Sequence, residues 1–176
     1  MTRGAEDRFQ EAAVLVPAYR DEEGRVILVL VRRAEGGVHG GQIAFPGGRR
    51  EPGEALLDTA LRESHEEIGL EPARVELLEE LPTVHTLGSG YRISPFLCRV
   101  RRPEAWRPCE REIAAMVEVR LDDLVPPSAH VEAVADASTE EERWPHYRVG
   151  PHRLWGATYR IIRRLLPRLQ AGEWEF

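Results

Sequence analysis

The sequence contains no lysine and no asparagine, so arginine supplies all 24 of its basic side chains. Cysteine is also scarce, with only Cys98 and Cys109, and their spacing matches no metal-ligand motif. Two cysteines in such a chain favour reduced thiols, and a single disulfide between them stays the alternative.

Long hydrophobic runs are absent as well. The longest candidate covers residues 26–31, which suits a strand and falls far short of the roughly 18 residues that a membrane helix needs. The N-terminal residues 1–9 contain no apolar segment of the kind that a secretory signal requires. These absences predict no membrane association and a cytoplasmic location.

Positive charge is in short supply, with 24 basic against 30 acidic side chains and a formal net charge of −6. Such a surface is repelled by a duplex, which excludes a protein that follows nucleic acid along its phosphates. A small nucleotide substrate is compatible with this charge, because a bound metal ion can invert the local potential. The length of 176 residues predicts a single domain, residues 1–176.

Apolar patterning divides the chain into strands and two helices. Strands are predicted at residues 12–19, 25–32, 42–45, 75–81, 91–100 and 113–119. Helices are predicted at residues 54–67 and 155–166, and Gly69 is expected to end the first of them. Residues 126–142 are polar and predict a long loop. Strands mixed with two well-separated helices indicate an α/β sandwich.

Three carboxylates of the first predicted helix, Glu63, Glu66 and Glu67, lie at positions i, i+3 and i+4. This spacing places them within an arc of about 100° beside the apolar face. That face is formed by Leu57, Ala60, Leu61, Ser64 and Ile68. Carboxylate oxygens clustered on one rigid helix edge are ligands that hard divalent cations prefer. Taken alone, the three glutamates are more typical of a solvated acidic face than of a metal site.

The surrounding residues extend this cluster into a longer pattern. Seven positions stand at the spacing G-x5-E-x7-R-E-x-x-E-E-x-G, namely Gly48, Glu54, Arg62, Glu63, Glu66, Glu67 and Gly69. The pattern resembles the signature box of the Nudix hydrolase family. Ser64 departs from it, because the family prefers an aliphatic residue there, and we interpret the change as a variation in packing.

The resemblance implies a fold, an activity and residue roles. The fold would be a Nudix-type α/β/α sandwich with a mixed β-sheet and a strand-loop-helix-loop catalytic motif. The activity would be metal-dependent hydrolysis of a pyrophosphate bond in a nucleotide-type substrate. The three glutamates would bind Mg²⁺ or Mn²⁺ together with the backbone carbonyl of Gly47. Glu63 would act as a base toward the attacking water, and Arg62 would support the catalytic loop by pairing with Glu54.

Three flanking segments, residues 29–48, 81–96 and 154–162, resemble the coenzyme A pyrophosphatase branch of the family. This likeness implies cleavage of coenzyme A or acyl-CoA to 3′,5′-ADP and 4′-phosphopantetheine or its acyl form. The branch carries a basic side chain in the loop between residues 34 and 41. In this chain only His39 could replace it.

Coenzyme A carries a 3′-phosphate in addition to its pyrophosphate, so a selective enzyme needs a cation for it, ideally an arginine fork. Arg33, Arg50 and Arg92 are the candidate substrate-binding residues. Glu110 and Glu112 stand near a predicted strand start and are candidates to complete a metal site from outside the helix.

Other functions remain open at this stage. Another Nudix substrate, such as ADP-ribose, NADH or a dinucleoside polyphosphate, would use the same box. A non-catalytic nucleotide-binding module on a Nudix scaffold is the alternative from a different class, because a fold does not fix a function. The expected partner is a small nucleotide, and the sequence leaves a homodimer open.

Overall fold

The computed structural model describes residues 9–36, 39–86, 90–134, 138 and 143–176. Its strands are β1 (Gln10–Arg20), β2 (Val26–Arg33), β3 (Ile43–Ala44), β4 (Gly47–Arg49), β5 (Val75–Glu80), β6 (Val84–His85), β7 (Tyr91–Val100), β8 (Ile113–Arg120), β9 (His130–Val131), β10 (His146–Val149) and β11 (His152–Leu154). Its α-helices are α1 (Leu56–Ile68), α2 (Leu121–Leu124) and α3 (Gly156–Gln170). Short 3₁₀ helices lie at Pro72–Arg74 and Pro127–Ala129.

Strand β1 is the centre of a mixed sheet with the order β3-β2-β1-β7-β5. It pairs in parallel with β7 along most of its length and antiparallel with β2 near its end, where Ala18 faces Leu28. Near its start β1 pairs instead with β4, so that Val14 faces Gly47. The glycine-rich turn at β4 is therefore held beside the central strand of the sheet.

Alternate side chains of β1 face opposite sides of the sheet, as the period of two for a strand requires. Ala13 and Leu15 belong to the apolar cluster that includes residues of α1. Val16 and Ala18 belong to the cluster that includes residues of α3. The sheet is thus covered by one helix on each face, which confirms the predicted α/β sandwich.

Helix α1 begins two residues later than predicted, at Leu56, and Glu54 lies outside it. It ends at Gly69, which adopts the left-handed conformation with a φ of 69°. A Cβ at Gly69 would also lie 2.8 Å from the Cβ of Arg107, so glycine serves both the helix end and the packing of the next segment.

The buried face of α1 differs from the predicted one. Ala60, Ser64 and Ile68 are buried as expected, but Leu57 and Leu61 are only half-buried. Glu67 is buried with them, at 1% exposure. Hydrophobicity alone misplaces this face, because the helix turns a carboxylate toward the sheet.

Helix α3 also differs from its predicted limits. It starts at Gly156 and continues past Leu166 to Gln170, with Pro167 inside its last turn. Trp155 was expected on the core-facing stripe, but it caps the helix and is half-buried. The predicted loop at residues 126–142 contains a 3₁₀ helix and β9, and its residues 135–137 and 139–142 lie outside the described part of the chain. Strands β9, β10 and β11 form a second, three-stranded sheet that the sequence did not predict.

Both cysteines are free, Cys98 in the core and Cys109 half-buried, as predicted. Across the described ranges, no helix has the length and apolar character that crossing a membrane demands.

Candidate active site

The glycine turn at β4 contacts the carboxylates of α1. The backbone N–H of Gly47 donates a hydrogen bond of 2.9 Å to Oε2 of the buried Glu67. A Cβ at Gly48 would lie 2.5 Å from the carboxyl carbon of Glu63, so a larger residue here would require the Glu63 carboxylate to move. Two of the three predicted metal-binding glutamates are therefore held against the central strands of the sheet.

Arg62 braces the turn and the helix together, as the sequence predicted. Its Nε donates to Oε1 of Glu54 at 2.8 Å, and its Nη2 donates to Oε2 of the same carboxylate at 3.2 Å. Nη2 also reaches the carbonyl of Arg49 at 3.3 Å. The Arg62 guanidinium lowers the pKa of Glu54 to about 2, with the hydroxyl of Thr59 contributing. This brace is an ionised, two-point pair.

The two inner glutamates are electrostatically unfavourable as carboxylates. Burial raises the pKa of Glu67 to about 7, although the Gly47 N–H and the Arg33 guanidinium act in the opposite direction. Burial likewise raises the pKa of Glu63, against the pull of Arg62. Glu112 raises the pKa of both groups through its own charge. Excess negative charge at one partly buried point is an environment that a bound cation would stabilise.

The donor chemistry fits Mg²⁺ or Mn²⁺, since hard cations bind carboxylate and carbonyl oxygens. Glu63 and Glu66 instead contact Nη1 of Arg62, at 3.0 and 3.4 Å. Within the described ranges, no group of three or more His, Cys, Asp or Glu side chains is arranged to hold a metal ion. Metal binding would therefore require the glutamate side chains to turn away from Arg62.

Of the three candidate substrate-binding arginines, Arg33 lies at this site. It is the last residue of β2, and its Nη1 lies 3.6 Å from Oε1 of Glu67. The Arg33 side chain is 35% exposed, so solvent reaches part of it. Arg33 can consequently meet a phosphate that approaches the glutamates.

Arg50 and Arg92 meet at a different point, where both bind the carboxylate of Glu11. Arg50 also donates through Nε to the carbonyl of Glu54, at 2.5 Å. Two guanidinium groups on one carboxylate leave a surplus positive charge near the start of α1. Glu11 was not identified from the sequence, because its partners are 39 and 81 residues away along the chain.

Of the two acidic residues considered outside the helix, Glu112 is the one that acts on the site. Its backbone carbonyl accepts a hydrogen bond of 2.7 Å from the N–H of Ala34, beside Arg33. Its charge makes the smallest of the contributions to the raised pKa values of Glu63 and Glu67, which come mainly from burial. Glu110 and Glu112 are both exposed.

Two hydrogen bonds join the three segments that flank the box. The hydroxyl of the buried Thr158 donates to the carbonyl of Ile43 at 3.1 Å, which connects the start of α3 to β3. Nη1 of Arg160 donates to the carbonyl of His85 and connects the same helix to β6. Segments that are far apart in sequence thus contact each other on the α3 face of the sheet.

Comparison with known proteins identifies the family. A model described as the NUDIX domain matches residues 9–140. The chain is 33% identical to the Nudix hydrolase NudL of Enterobacter sp. (strain 638), over 98% of this chain and 88% of the relative.

Two solved structures share the fold. The Nudix hydrolase RenU of M. smegmatis has a TM-score of 0.64 at 21% identity, covering 96% of this chain and 89% of its own. An Ap4A hydrolase of C. elegans has a TM-score of 0.54 at 22% identity, covering 65% of this chain and 82% of its own. The family model and the NudL relative both cover the residues that form the Arg62–Glu54 brace and the glycine turn. This protein therefore belongs to the Nudix hydrolase family and is a pyrophosphohydrolase.

Proposed function

We propose that this Nudix hydrolase cleaves the pyrophosphate bond of coenzyme A or acyl-CoA and releases 3′,5′-ADP and 4′-phosphopantetheine or its acyl form. The observation that carries the proposal is the contact between the three segments that resemble the coenzyme A pyrophosphatase branch. Thr158 and Arg160 hold residues 154–162 against residues 29–48 and 81–96. A substrate site is built from several segments at once, so contact among these three segments supports a substrate shared with that branch.

The chemistry follows from charge. Nudix hydrolases generally need a divalent ion such as Mg²⁺ or Mn²⁺. Here Glu63, Glu66, Glu67 and the Gly47 carbonyl would hold it, with Glu112 from outside the helix. The ion would neutralise phosphate oxygens and make a water more acidic.

The side chains of this chain supply positioning and proton transfer. Glu63 would accept a proton from the attacking water, since its carboxylate has a raised pKa and lies at the glycine turn. Arg33 would contact the pyrophosphate, because its guanidinium lies beside Glu67 and its side chain is partly exposed to solvent. Arg62 and Glu54 would hold the glutamates in place.

Pyrophosphatases for ADP-ribose, NADH or dinucleoside polyphosphates are the rival proposals, since the box serves any of these substrates. The name of one fold neighbour, an Ap4A hydrolase, keeps the last class open. Coenzyme A differs from all three in its 3′-phosphate, for which Arg50 and Arg92 supply a surplus positive charge at Glu11.

The test is a turnover screen of purified protein with Mg²⁺ and with Mn²⁺. Coenzyme A, acetyl-CoA, ADP-ribose, NADH and Ap4A are compared at equal concentrations, and products are separated by ion-pair chromatography. The proposal expects kcat/KM for coenzyme A or acetyl-CoA to exceed the others by about tenfold or more, which corresponds to about 1.4 kcal/mol. A higher kcat/KM for ADP-ribose, NADH or Ap4A would overturn it.

A further inference from the structure

The segment between β7 and β8, residues 101–112, contains no α-helix and no strand, yet it ends beside the catalytic carboxylates. The N–H of Cys109 donates to the carbonyl of Glu67 at 2.8 Å. The carbonyl of Cys109 in turn accepts a hydrogen bond of 2.9 Å from the N–H of Glu112. The backbone of Glu112 is therefore linked to the backbone of Glu67 through one intervening residue.

The other end of the segment is fastened to the sheet by Glu118 of β8. Its Oε1 accepts hydrogen bonds of 2.9 Å from the Nε of Arg102, from Nε1 of Trp106 and from the hydroxyl of Tyr19. Burial raises the pKa of Glu118, but Arg102, Trp106 and Tyr19 outweigh it and keep the pKa below its ordinary value. Glu118 therefore stays ionised at neutral pH.

An irregular surface segment samples many conformations unless side-chain contacts restrict it, and each restricted residue costs about 1–2 kcal/mol of backbone entropy. Two of the three donors to Glu118, Arg102 and Trp106, come from this segment. Trp106 also packs against the apolar cluster on the α1 face. The contacts at Glu118 thus restrict the segment that delivers Glu112.

We propose that Glu118 and Trp106 are positioning residues for the metal site, which act by fixing residues 101–112 so that Glu112 stays beside Glu63 and Glu67. The inference rests on the proposed metal site. It adds that the affinity of that site depends on a hydrogen-bonded anchor on β8 and not only on the helix.

The test measures Mn²⁺ binding to the substrate-free protein by the loss of the free-ion EPR signal, alongside kcat and KM. Trp106→Phe removes the Nε1–H donor and keeps an aromatic ring. Glu118→Gln removes the negative charge of the carboxylate that accepts all three hydrogen bonds. Trp174→Phe is the matched control, since Trp174 packs on the α3 face under Arg168. Thermal unfolding confirms that each variant is folded.

We expect Mn²⁺ to bind about tenfold more weakly to Trp106→Phe and Glu118→Gln, at the low end of the range for residues that orient metal ligands. Trp174→Phe should bind Mn²⁺ as the parent does. In a Glu112→Gln background, Trp106→Phe should cause no further loss, because the residue through which it acts is gone.

Three results distinguish a failure of the proposed anchor, Glu118 with Trp106, from a failure of the proposed metal site. Unchanged Mn²⁺ affinity in Trp106→Phe and Glu118→Gln, with weaker binding in Glu112→Gln, overturns the anchor and leaves the metal site intact. An equal loss in Trp174→Phe also overturns it, because the effect would then be one of general stability. Unchanged affinity in Glu63→Gln, Glu67→Gln and Glu112→Gln overturns the proposed metal site itself, and the anchor with it.

Discussion

At the scale of single residues, the site depends on a carboxylate that the helix buries. Glu67 is 1% exposed, and its partners are the Gly47 N–H and the Arg33 guanidinium. Isolated buried charge is costly, and the group responds by holding its proton more tightly. The sequence predicted the pairing of Arg62 with Glu54 because the motif carries it. Burial of Glu67 could not be predicted, because it depends on how α1 is rotated against β1.

The first prediction is that metal-free stability falls as the pH rises because of Glu67. The pKa of Glu67 is about 7 in the folded protein and 4.5 ordinarily. Below pH 4.5 the carboxyl group is protonated in both the folded and the unfolded state, so it does not reduce stability. Between pH 4.5 and pH 7 Glu67 is ionised only in the unfolded chain, so the free energy of unfolding falls as the pH rises. Above pH 7 Glu67 is ionised in both states, and its burial lowers the free energy of unfolding by a constant amount of about 3 kcal/mol. With EDTA present, Glu67→Gln should raise the Tm at pH 8 by several degrees and leave it unchanged near pH 4.5.

The same substitution should reduce turnover by about 100-fold or more if Glu67 binds the metal. Differential scanning calorimetry at four pH values and a steady-state assay give both results. A Tm difference between parent and Glu67→Gln that does not vary with pH would contradict the buried-charge account. Near-normal turnover at saturating metal would contradict the proposed metal role.

A second prediction concerns Ser64, which occupies the position where the family has an aliphatic residue. Its side chain is fully buried, and its hydroxyl has no hydrogen-bond partner in the described structure. An unsatisfied buried hydroxyl costs about 1–3 kcal/mol, so Ser64→Ala should stabilise the protein by about 1 kcal/mol. Ser64→Leu should overpack the helix–sheet contact and cost about 1–3 kcal/mol.

Urea unfolding midpoints and kcat for both variants check the assignment to packing. Stability should change in opposite directions for alanine and leucine, and kcat for Ser64→Ala should remain close to that of the parent. A large loss of kcat in a stable Ser64→Ala variant would show that the hydroxyl takes part in catalysis.

At the scale of secondary-structure elements, the sequence predicted long strands and helices better than short strands. Strand β7 was predicted with its observed limits, and both long helices were predicted with ends shifted by a few residues. Among the strands of two to four residues, β3 was predicted, within residues 42–45, but β4, β6, β9, β10 and β11 were not, because so short a segment shows no clear alternation. Strands β4 and β6 form where a longer partner strand, β1 or β7, offers its hydrogen-bonding edge.

The brace between α1 and the preceding loop gives a third prediction. Glu54→Gln leaves Arg62 without its two-point partner and should destabilise the metal-free protein by about 1–3 kcal/mol at pH 7. Because Arg62 lowers the pKa of Glu54 to about 2, the contribution is present above pH 4.5 and disappears as the pH falls through 2. Chemical unfolding at pH 7 and pH 3 measures the change.

Glu76→Gln is the control for this brace, since the Arg99–Glu76 pair lies at the surface with both side chains more than a third exposed. Exposed pairs contribute about 0–1 kcal/mol, so the control should change little. Equal losses in Glu54→Gln and Glu76→Gln would mean that the brace has no special structural role.

At the scale of the whole molecule, the fold separates the three candidate substrate-binding arginines into two places. Arg33 stands beside Glu67, whereas Arg50 and Arg92 share Glu11 near the start of α1. The sequence proposed all three as equivalent candidates because it carries no information about which carboxylate each would meet. Their positions lead us to propose different roles for them: Arg33 would contact the pyrophosphate, and the Glu11 pair would contact a more distant phosphate.

The last prediction compares coenzyme A with 3′-dephospho-CoA in the parent, Arg33→Ala, Arg50→Ala and Arg92→Ala. A charge-assisted contact is worth about 1.5–3 kcal/mol, or roughly 10- to 150-fold, so the parent should prefer coenzyme A by about tenfold or more in kcat/KM. Arg33→Ala should reduce kcat/KM for both substrates alike, because the pyrophosphate is common to them. Arg50→Ala or Arg92→Ala should lower kcat/KM for coenzyme A only and so remove the preference.

Arg20→Ala serves as the control, since Arg20 binds the carbonyl of Gly24 at the far end of β1. If the parent hydrolyses both substrates equally, selectivity for the 3′-phosphate is wrong, and the chain is a broader Nudix pyrophosphohydrolase that accepts coenzyme A. If selectivity is lost in Arg33→Ala instead, the 3′-phosphate is bound beside Glu67, and the Glu11 pair serves only to hold β1, β7 and the start of α1 together.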